Sequence, residues 1–329
     1  MQGDSQVKDK AKARLIYKCI APSIVLSAFL ASNAGLLADV FPQLDLLVHF
    51  QVQYAWVLTA CLLWLLIQRR FWWSILAVAA LSLPVIRIAP WYFPSPALSH
   101  LETHEAQTEL KLLSCNVKYT NKNYQSLIKL IEETDADVVV VQEATHAWEL
   151  ALAQLSNMYS HRIARPASGP RGMVMLSKLP FLRSKVEVHP ITRHCILAGW
   201  IRFDSQEILL IAAHPFRPGL RHGPRVLASE LELAANLANK DTQNIILIGD
   251  LNTTMWSSTY TRFVENHHLT NLRRGFGICA SWSRVIPWIS AIPIDHCLIG
   301  DNFHGVSFDL LPIAGSDHDA IIARVRLRQ

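Results

Sequence analysis

Ile245-Ile246-Leu247-Ile248-Gly249-Asp250-Leu251-Asn252 is the stretch around which this 329-residue chain is organised. Four consecutive branched apolar residues predict a strand buried on both faces, and such a strand delivers whatever follows it to one edge of a sheet. Here a carboxylate and an amide follow, two residues apart. Gly249 permits a sharp turn or a close approach, and Asp250 and Asn252 can point the same way into a cleft. An apolar strand ending in Gly-Asp also serves simply as a helix cap or turn, so the stretch has to be judged with its neighbours.

Three other segments repeat the arrangement, each setting polar side chains at the end of an apolar run. Residues 110–117 carry Asn116 near their end, 138–141 run into Gln142-Glu143, and 208–213 run into His214-Pro215. Towards the C-terminus, Ile294-Asp295-His296 and Ser316-Asp317-His318 add two Asp-His pairs. This ordered set resembles the endonuclease/exonuclease/phosphatase superfamily, the metal-dependent phosphodiesterases related to pancreatic deoxyribonuclease, abasic-site endonucleases, neutral sphingomyelinases and inositol polyphosphate phosphatases. The resemblance covers roughly residues 110 to 327. It implies two packed mixed β-sheets with helices outside, a four-layer α/β sandwich.

The first third of the chain differs in kind. Residues 15–93 are dominated by Leu, Ile, Val, Ala and Trp with few charges, so the mean hydropathy of +0.20 averages two unlike parts. Of the 31 Lys/Arg and 26 Asp/Glu, eight and four fall in the first 100 residues. The remaining 23 and 22 nearly cancel, which argues against a surface built for gripping nucleic acid despite a pI near 8.9.

Three apolar segments, about residues 16–37, 46–67 and 71–93, each have the roughly 20 residues that a bilayer requires. A cleaved signal peptide is the rival reading of the first, since a basic start precedes it. Lys8, Lys10, Lys12 and Arg14 lie before the first segment and Arg69-Arg70 between the second and third, whereas the 38–45 connection holds only acidic charge. The positive-inside rule then places residues 1–14 in the cytoplasm and the C-terminal domain outside it. The expectation is a multi-pass membrane protein, of bacterial inner-membrane type, with an extracytoplasmic catalytic domain. Arg87, near the far end of the third segment, is expected to reach the interface. Residues 94–108 read as a linker and 109–329 as the catalytic domain.

Within that domain, helices are expected at 123–133 and 226–238, and strands at 173–176, 196–203, 208–214, 294–299, 306–311 and 320–327. Six cysteines include no C-x-x-C pair, and those in strand-like runs, Cys115 and Cys297, are expected to be buried free thiols.

Phosphodiester hydrolysis requires a cation against the phosphoryl oxygens, a group that positions water and donors that hold the phosphate. Hard carboxylate oxygen suits Mg²⁺ or Mn²⁺. The resemblance implies Glu143 as metal ligand, with Asn116 and Asp317 assisting directly or through water. It also implies His318 at the scissile phosphate, held by Asp295 through its other ring nitrogen. Asp250 would orient water or act as base, Asn252 would donate to the phosphate, and His214 would assist the phosphate or the leaving oxygen. Arg171, Arg217 and Trp282 are candidates for substrate contact. The 217–225 loop could contact an anionic headgroup or a nucleic-acid phosphate, and the apolar 285–293 segment suits a lipid tail or a platform for a base. His104, His146, His161, His267 and His268 are read as structural.

One departure stands out. Abasic-site endonucleases carry an acidic residue two positions after the motif Asn, where this chain has Lys118, so a second tightly held metal and abasic-site repair are disfavoured. The resulting expectation is a membrane-anchored phosphoester hydrolase acting on a phospholipid headgroup or a nucleic acid. A silent binding module on the same fold is the alternative, and no protein partner is evident.

Overall fold

The computed structural model describes residues 19–93, 108–219, 223–238, 244–283 and 290–328. Residues 1–14, the start of the first apolar segment, nearly all of the linker with His104, and the 284–289 part of the apolar loop lie outside them, as do Arg221 and His222. The chain forms two compact units, Met1–Ala89 and Pro90–Gln329.

In the first unit, helix α1 (Cys19–Leu37) is followed by a 3-10 segment (Pro42–Phe50), α2 (Gln51–Ile67) and α3 (Phe71–Ile88). Three helical spans, Cys19–Leu37, Pro42–Ile67 and Phe71–Tyr92, are long and apolar enough to cross a membrane. Small residues meet at the helix contacts: Ala21, Ala28, Cys61, Ala77 and Ala80 are buried, while Leu30, Trp56, Leu63, Trp72 and Ile86 are exposed. Leu58, Leu65 and Val25 are buried among them, and the large apolar side chains left outside suit a lipid surround.

Two details of this unit differ from the sequence reading. The second helical segment begins at Pro42, so Asp45 belongs to it and is buried rather than lying in an exposed connection. Arg87 turns inward: its Nη1 donates to Ser32 O (2.7 Å) and Ser32 Oγ (3.0 Å), and its Nη2 to Asn33 Oδ1 (2.9 Å). These acceptors, near the end of α1, pair the partly buried guanidinium within the helical unit.

The second unit contains two six-stranded mixed sheets. One is ordered β11-β12-β1-β2-β4-β3 and the other β5-β6-β7-β8-β10-β9. Its elements run β1 (Leu110–Asn116), α4 (Tyr124–Thr134), β2 (Val138–Gln142), α5 (His146–Leu152), β3 (His161–Arg165), β4 (Met173–Ser177), β5 (Phe181–Val188), β6 (Cys195–Phe203) and β7 (Gln206–Ala213). There follow α6 (Gly223–Ala235), β8 (Ile245–Asp250), α7 (Ser258–Asn266), β9 (Thr270–Asn271), β10 (Asp295–Ile299), β11 (Phe303–Pro312) and β12 (Asp319–Leu327).

Strand alternation divides the residues between layers. Leu112, Val138 and Val140 face Leu210, Ile246 and Ile248 across the gap between the sheets. Leu113, Val139 and Val141 face outward onto Leu127, Ile131 and Trp148 of α4 and α5. Full burial of each Leu, Ile or Val contributes about 1.5–3 kcal/mol relative to exposure.

The strands absent from the sequence reading are β3, β5 and β9, and all three sit at sheet ends. An edge strand carries polar residues on faces that a central strand buries, so the apolar signal is lost. None of the eight β5 residues is buried, four of them are polar or charged, and Arg183, Lys185 and Glu187 alternate along it. The short helices α5 and α7 were likewise unmarked in the sequence, and α6 starts three residues earlier than expected. All six cysteines are free, with Cys115 and Cys297 buried in β1 and β10.

Topology explains why distant blocks converge. β1 is parallel to β2 and β7 is parallel to β8, so Asn116, Glu143, His214 and Asp250 leave their strands in a common direction within each sheet. β10 and β12 run antiparallel to β8 and β1, so their starting ends, with Asp295 and His318, lie at that same edge.

Candidate active site

The turn after β8 depends on Gly249. Its φ is +149°, and a Cβ there would lie 2.1 Å from Ala213 O. Only glycine lets β8 and β7 approach so closely while turning Asp250 into the cleft. Three further turns use left-handed residues: Lys118 (φ 60°) after β1, Glu143 (φ 60°) after β2 and Asn252 (φ 52°) after β8. Non-glycine residues in this region carry strain of order 1 kcal/mol, and such strain concentrates where side chains must be aimed.

Asp250 is the focus of the site. Its Oδ2 accepts a hydrogen bond from Asn116 Nδ2 at 3.0 Å and lies 3.5 Å from His214 Nε2 and 3.7 Å from His318 Nε2. Its Oδ1 accepts from Asn252 N at 2.9 Å. Across the β8–β10 pair, Asp250 is in register with Asp295, whose Oδ2 sits 2.9 Å from His318 Nδ1. Asn116, His214, Asp250, Asp295 and His318 are all buried. The expected grouping of Asn116, Glu143, His214, Asp250, Asp295 and His318 is thus brought into one cluster.

The electrostatics follow from that geometry. Burial disfavours the charge on Asp250, but His318 and then His214 outweigh it and hold the carboxyl well below the usual range. Burial likewise works against protonating His318, yet the Asp295 and Asp250 carboxylates push it up to about 9. His214 is raised for the same reason, the hydrogen bond to Asp250 overcoming desolvation. Together these describe an ionised Asp250 between a protonated His318 and a His214 whose basicity is raised.

Glu143 lies beside this pair. Asn116 Nδ2 is 3.4 Å from Glu143 Oε1, and Glu143 Oε2 accepts from Tyr119 N at 2.9 Å. The Asn116 amide nitrogen thus lies between the Glu143 and Asp250 carboxylates, with its Oδ1 turned to the Lys118 N–H, and the two carboxylates supply hard oxygen of the kind that suits Mg²⁺ or Mn²⁺. Asp250, Asp295 and His318 also offer ligand atoms within 4.8 Å of one another, but Asp295 is already committed to His318 Nδ1.

Other expected residues are placed less directly. Asp317 Oδ2 is 3.3 Å from Trp282 Nε1 and 3.8 Å from Lys118 Nζ, so its nearest partners are donors on the rim. Asn252 Nδ2 donates to Pro215 O at 2.9 Å, bracing the turn that carries His214. Arg217 lies over the Trp282 ring with 5.0 Å to its centroid, and Trp282 pairs with His318 through a β-bridge. Arg171 is exposed; its carbonyl accepts from Cys195 Sγ at 3.5 Å, and its charge acts on His194 behind the cluster. Of the histidines read as structural, His146 pairs with Glu149, His267 with Glu232, and His161 lies on β3.

Several supporting residues had no sequence signal. His194 Nδ1 donates to His214 O at 2.7 Å from behind, and burial with the neighbouring His214 lowers its pKa to about 4, keeping it neutral. Ser316 Oγ donates to Asn116 O at 2.7 Å, tying the β12 turn to β1. Buried Arg273 donates to the carbonyls of Ile278 and Asp295, stiffening the start of β10. Each acts through a contact between residues far apart in the chain, which no local pattern announces.

Residues 113–318 match the family model described as Endonuclease/Exonuclease/phosphatase family. No curated protein matches the chain. Among solved structures, D. rerio TDP2 complexed with single-strand DNA product is similar with a TM-score of 0.55 and 17% identity, covering 67% of this chain and 99% of that one. The endonuclease/exonuclease/phosphatase from Beutenbergia cavernae gives a TM-score of 0.54 at 16% identity over 68% of this chain and 72% of that one. The human Nocturnin catalytic domain with bound sulfate gives 0.54 at 13% identity over 68% and 97%. At these identities the likeness concerns the fold.

Proposed function

The chain belongs to the endonuclease/exonuclease/phosphatase family, and from that premise we propose that it is a membrane-anchored phosphodiesterase dependent on Mg²⁺ or Mn²⁺. Members of the family hydrolyse phosphoester bonds and typically use divalent metals. The observation that carries the proposal is Asp250 Oδ2, which faces Asn116, His214 and His318 at once beside Glu143.

Glu143, beside Asn116, would hold the cation, which would supply Lewis-acid stabilisation of the phosphoryl oxygens, while Asp317, facing Lys118 and Trp282, stays on the rim. Ionised Asp250 accepts a hydrogen bond from the attacking water and orients it in line with the phosphorus. His318, kept protonated and in one orientation by Asp295, donates from Nε2 to a phosphoryl oxygen as negative charge builds. His214 donates towards the leaving oxygen, and Asn252 keeps its turn in place through Pro215 O. Arg217 on Trp282 forms a cationic, aromatic face for the substrate.

The three apolar helices favour a phospholipid headgroup as substrate, presented at the surface where the catalytic domain, residues 109–329, is tethered. The location proposed is a bacterial inner membrane with the domain on the extracytoplasmic side. Protease added outside intact spheroplasts should remove that domain, and its protection would reverse the assignment. A nuclease is the second reading, favoured by the Arg217–Trp282 face, since aromatic rings stack any base.

The test uses the full chain in detergent with bis-p-nitrophenyl phosphate, Mg²⁺ or Mn²⁺, EDTA and Asp250→Ala. Metal-dependent turnover lost in the variant supports the hydrolase, and DNA, RNA and phospholipid then compete as substrates. Silence on all of these moves the reading to a binding module.

A further inference from the structure

Lys118 lies beside each residue expected at the metal. Its backbone N–H donates to Asn116 Oδ1 at 3.1 Å, and its carbonyl accepts from Asn121 N at 2.8 Å. The next residue, Tyr119, donates its N–H to Glu143 Oε2 at 2.9 Å. The ammonium Nζ lies 3.8 Å from Asp317 Oδ2. The left-handed backbone at Lys118 is thereby fixed from both sides, and its side chain reaches the Asp317 carboxylate.

The ion pair with Asp317 does little for stability. Its side chains are 44% and 27% exposed, and a solvated pair at this distance is worth about 0–1 kcal/mol. A weak partner is easily exchanged, so the ammonium is free to turn to a better acceptor. Asp317 is itself oriented by Trp282, whose Nε1 donates to the same Oδ2 that faces Lys118. An oxygen with two donors in front of it serves better to place a cation than to ligate a metal.

Position decides what the ammonium is for. Asp317, the acceptor that faces Lys118 Nζ, precedes His318 in the chain, and His318 Nε2 lies 3.7 Å from Asp250 Oδ2, so the lysine stands at the edge of the cluster that a phosphodiester would enter. A second metal would call for a further carboxylate near Asn116, and the residue that occupies the turn there is a lysine. Lysine binds phosphate as a compact point charge on a flexible stem, which suits a group that must swing by a few ångströms.

We propose that Lys118, positioned by Asp317, contacts the scissile phosphate and provides the positive charge that accompanies a single metal. The inference rests on the hydrolase reading for its activity arm, but binding of inorganic phosphate by the metal-free protein tests it separately.

The full chain in detergent is compared with Lys118→Met and Lys118→Arg. Hydrolysis of bis-p-nitrophenyl phosphate should fall about tenfold to a hundredfold in kcat/KM for Lys118→Met, and largely return in Lys118→Arg. The Mg²⁺ concentration for half-activation should stay unchanged in both. In EDTA, ³¹P line broadening by inorganic phosphate should be seen with the wild type and Lys118→Arg and be lost in Lys118→Met. Wild-type turnover and phosphate binding in Lys118→Met overturn the proposal. So does a raised Mg²⁺ requirement, which would make Lys118 an element of the metal site, or a loss that Arg does not restore together with a lowered melting temperature. Absent turnover in the wild type refutes the hydrolase reading, and the phosphate titration still decides the role of Lys118.

Discussion

His318 Nδ1 and Asp295 Oδ2 are 2.9 Å apart, both residues are buried, and they come from the starts of two strands in different sheets. The carboxylate selects the tautomer and fixes the ring plane, leaving Nε2 towards Asp250. Asp295→Asn keeps the shape and removes the charge. It should lower kcat about 10- to 100-fold with little change in KM, as loss of an orienting partner does. Unchanged kcat in steady-state assays of the full chain would show that the ring needs no such support.

The same pair sets a pH dependence for stability. His318 is raised in the folded state from 6.5 to about 9. Its contribution is therefore fully present below pH 6.5 and is lost as pH rises through about 9, on the order of 3 kcal/mol in all. In EDTA, the melting transition followed by tryptophan fluorescence should fall between pH 7 and 9.5, and His318→Gln should flatten that slope. A wild-type profile without the fall would contradict the assigned charge state.

Asp250→Asn should abolish most turnover, about 10³-fold or more, because the neutral amide neither orients water as an anion does nor balances His214 and His318. EDTA should abolish activity reversibly, and added Mg²⁺ or Mn²⁺ should restore it in the wild type but not in the variant. Full activity in EDTA would remove the cation from the mechanism.

Gly249→Ala tests the backbone rather than a functional group. With φ at +149° and a Cβ only 2.1 Å from Ala213 O, the strands must separate. The expected cost is about 3 kcal/mol or more, read as a lowered melting temperature with loss of activity. A variant with wild-type stability would mean that β7 and β8 are less closely apposed than described.

Much of the site was legible in the sequence because central strands are apolar on both faces and their polar successors stand out. Asn116, Glu143, His214, Asp250, Asp295 and His318 each follow or begin such a run, and the order of the blocks implied the fold. Three of the four sheet ends were illegible: β3, β5 and β9 offer no continuous apolar run, whereas the fourth, β11, was expected at 306–311. The supporting residues were also illegible, since His194, Arg273 and Ser316 are ordinary residues until the chain folds.

By itself, then, the sequence determined the apolar helices, the central strands and the identities of the groups at their ends, all of which are encoded in local hydrophobic patterning. Only the tertiary structure decided how those groups are shared. Asn116 and Asp250, 134 residues apart, meet through a hydrogen bond; Asp317 faces Lys118 and Trp282; the Asn252 amide goes to Pro215; and Arg87 turns into its helices. The reason is that a polar group leaving water takes whichever partner the packing brings within about 3 Å, and packing is a property of the whole chain rather than of any segment.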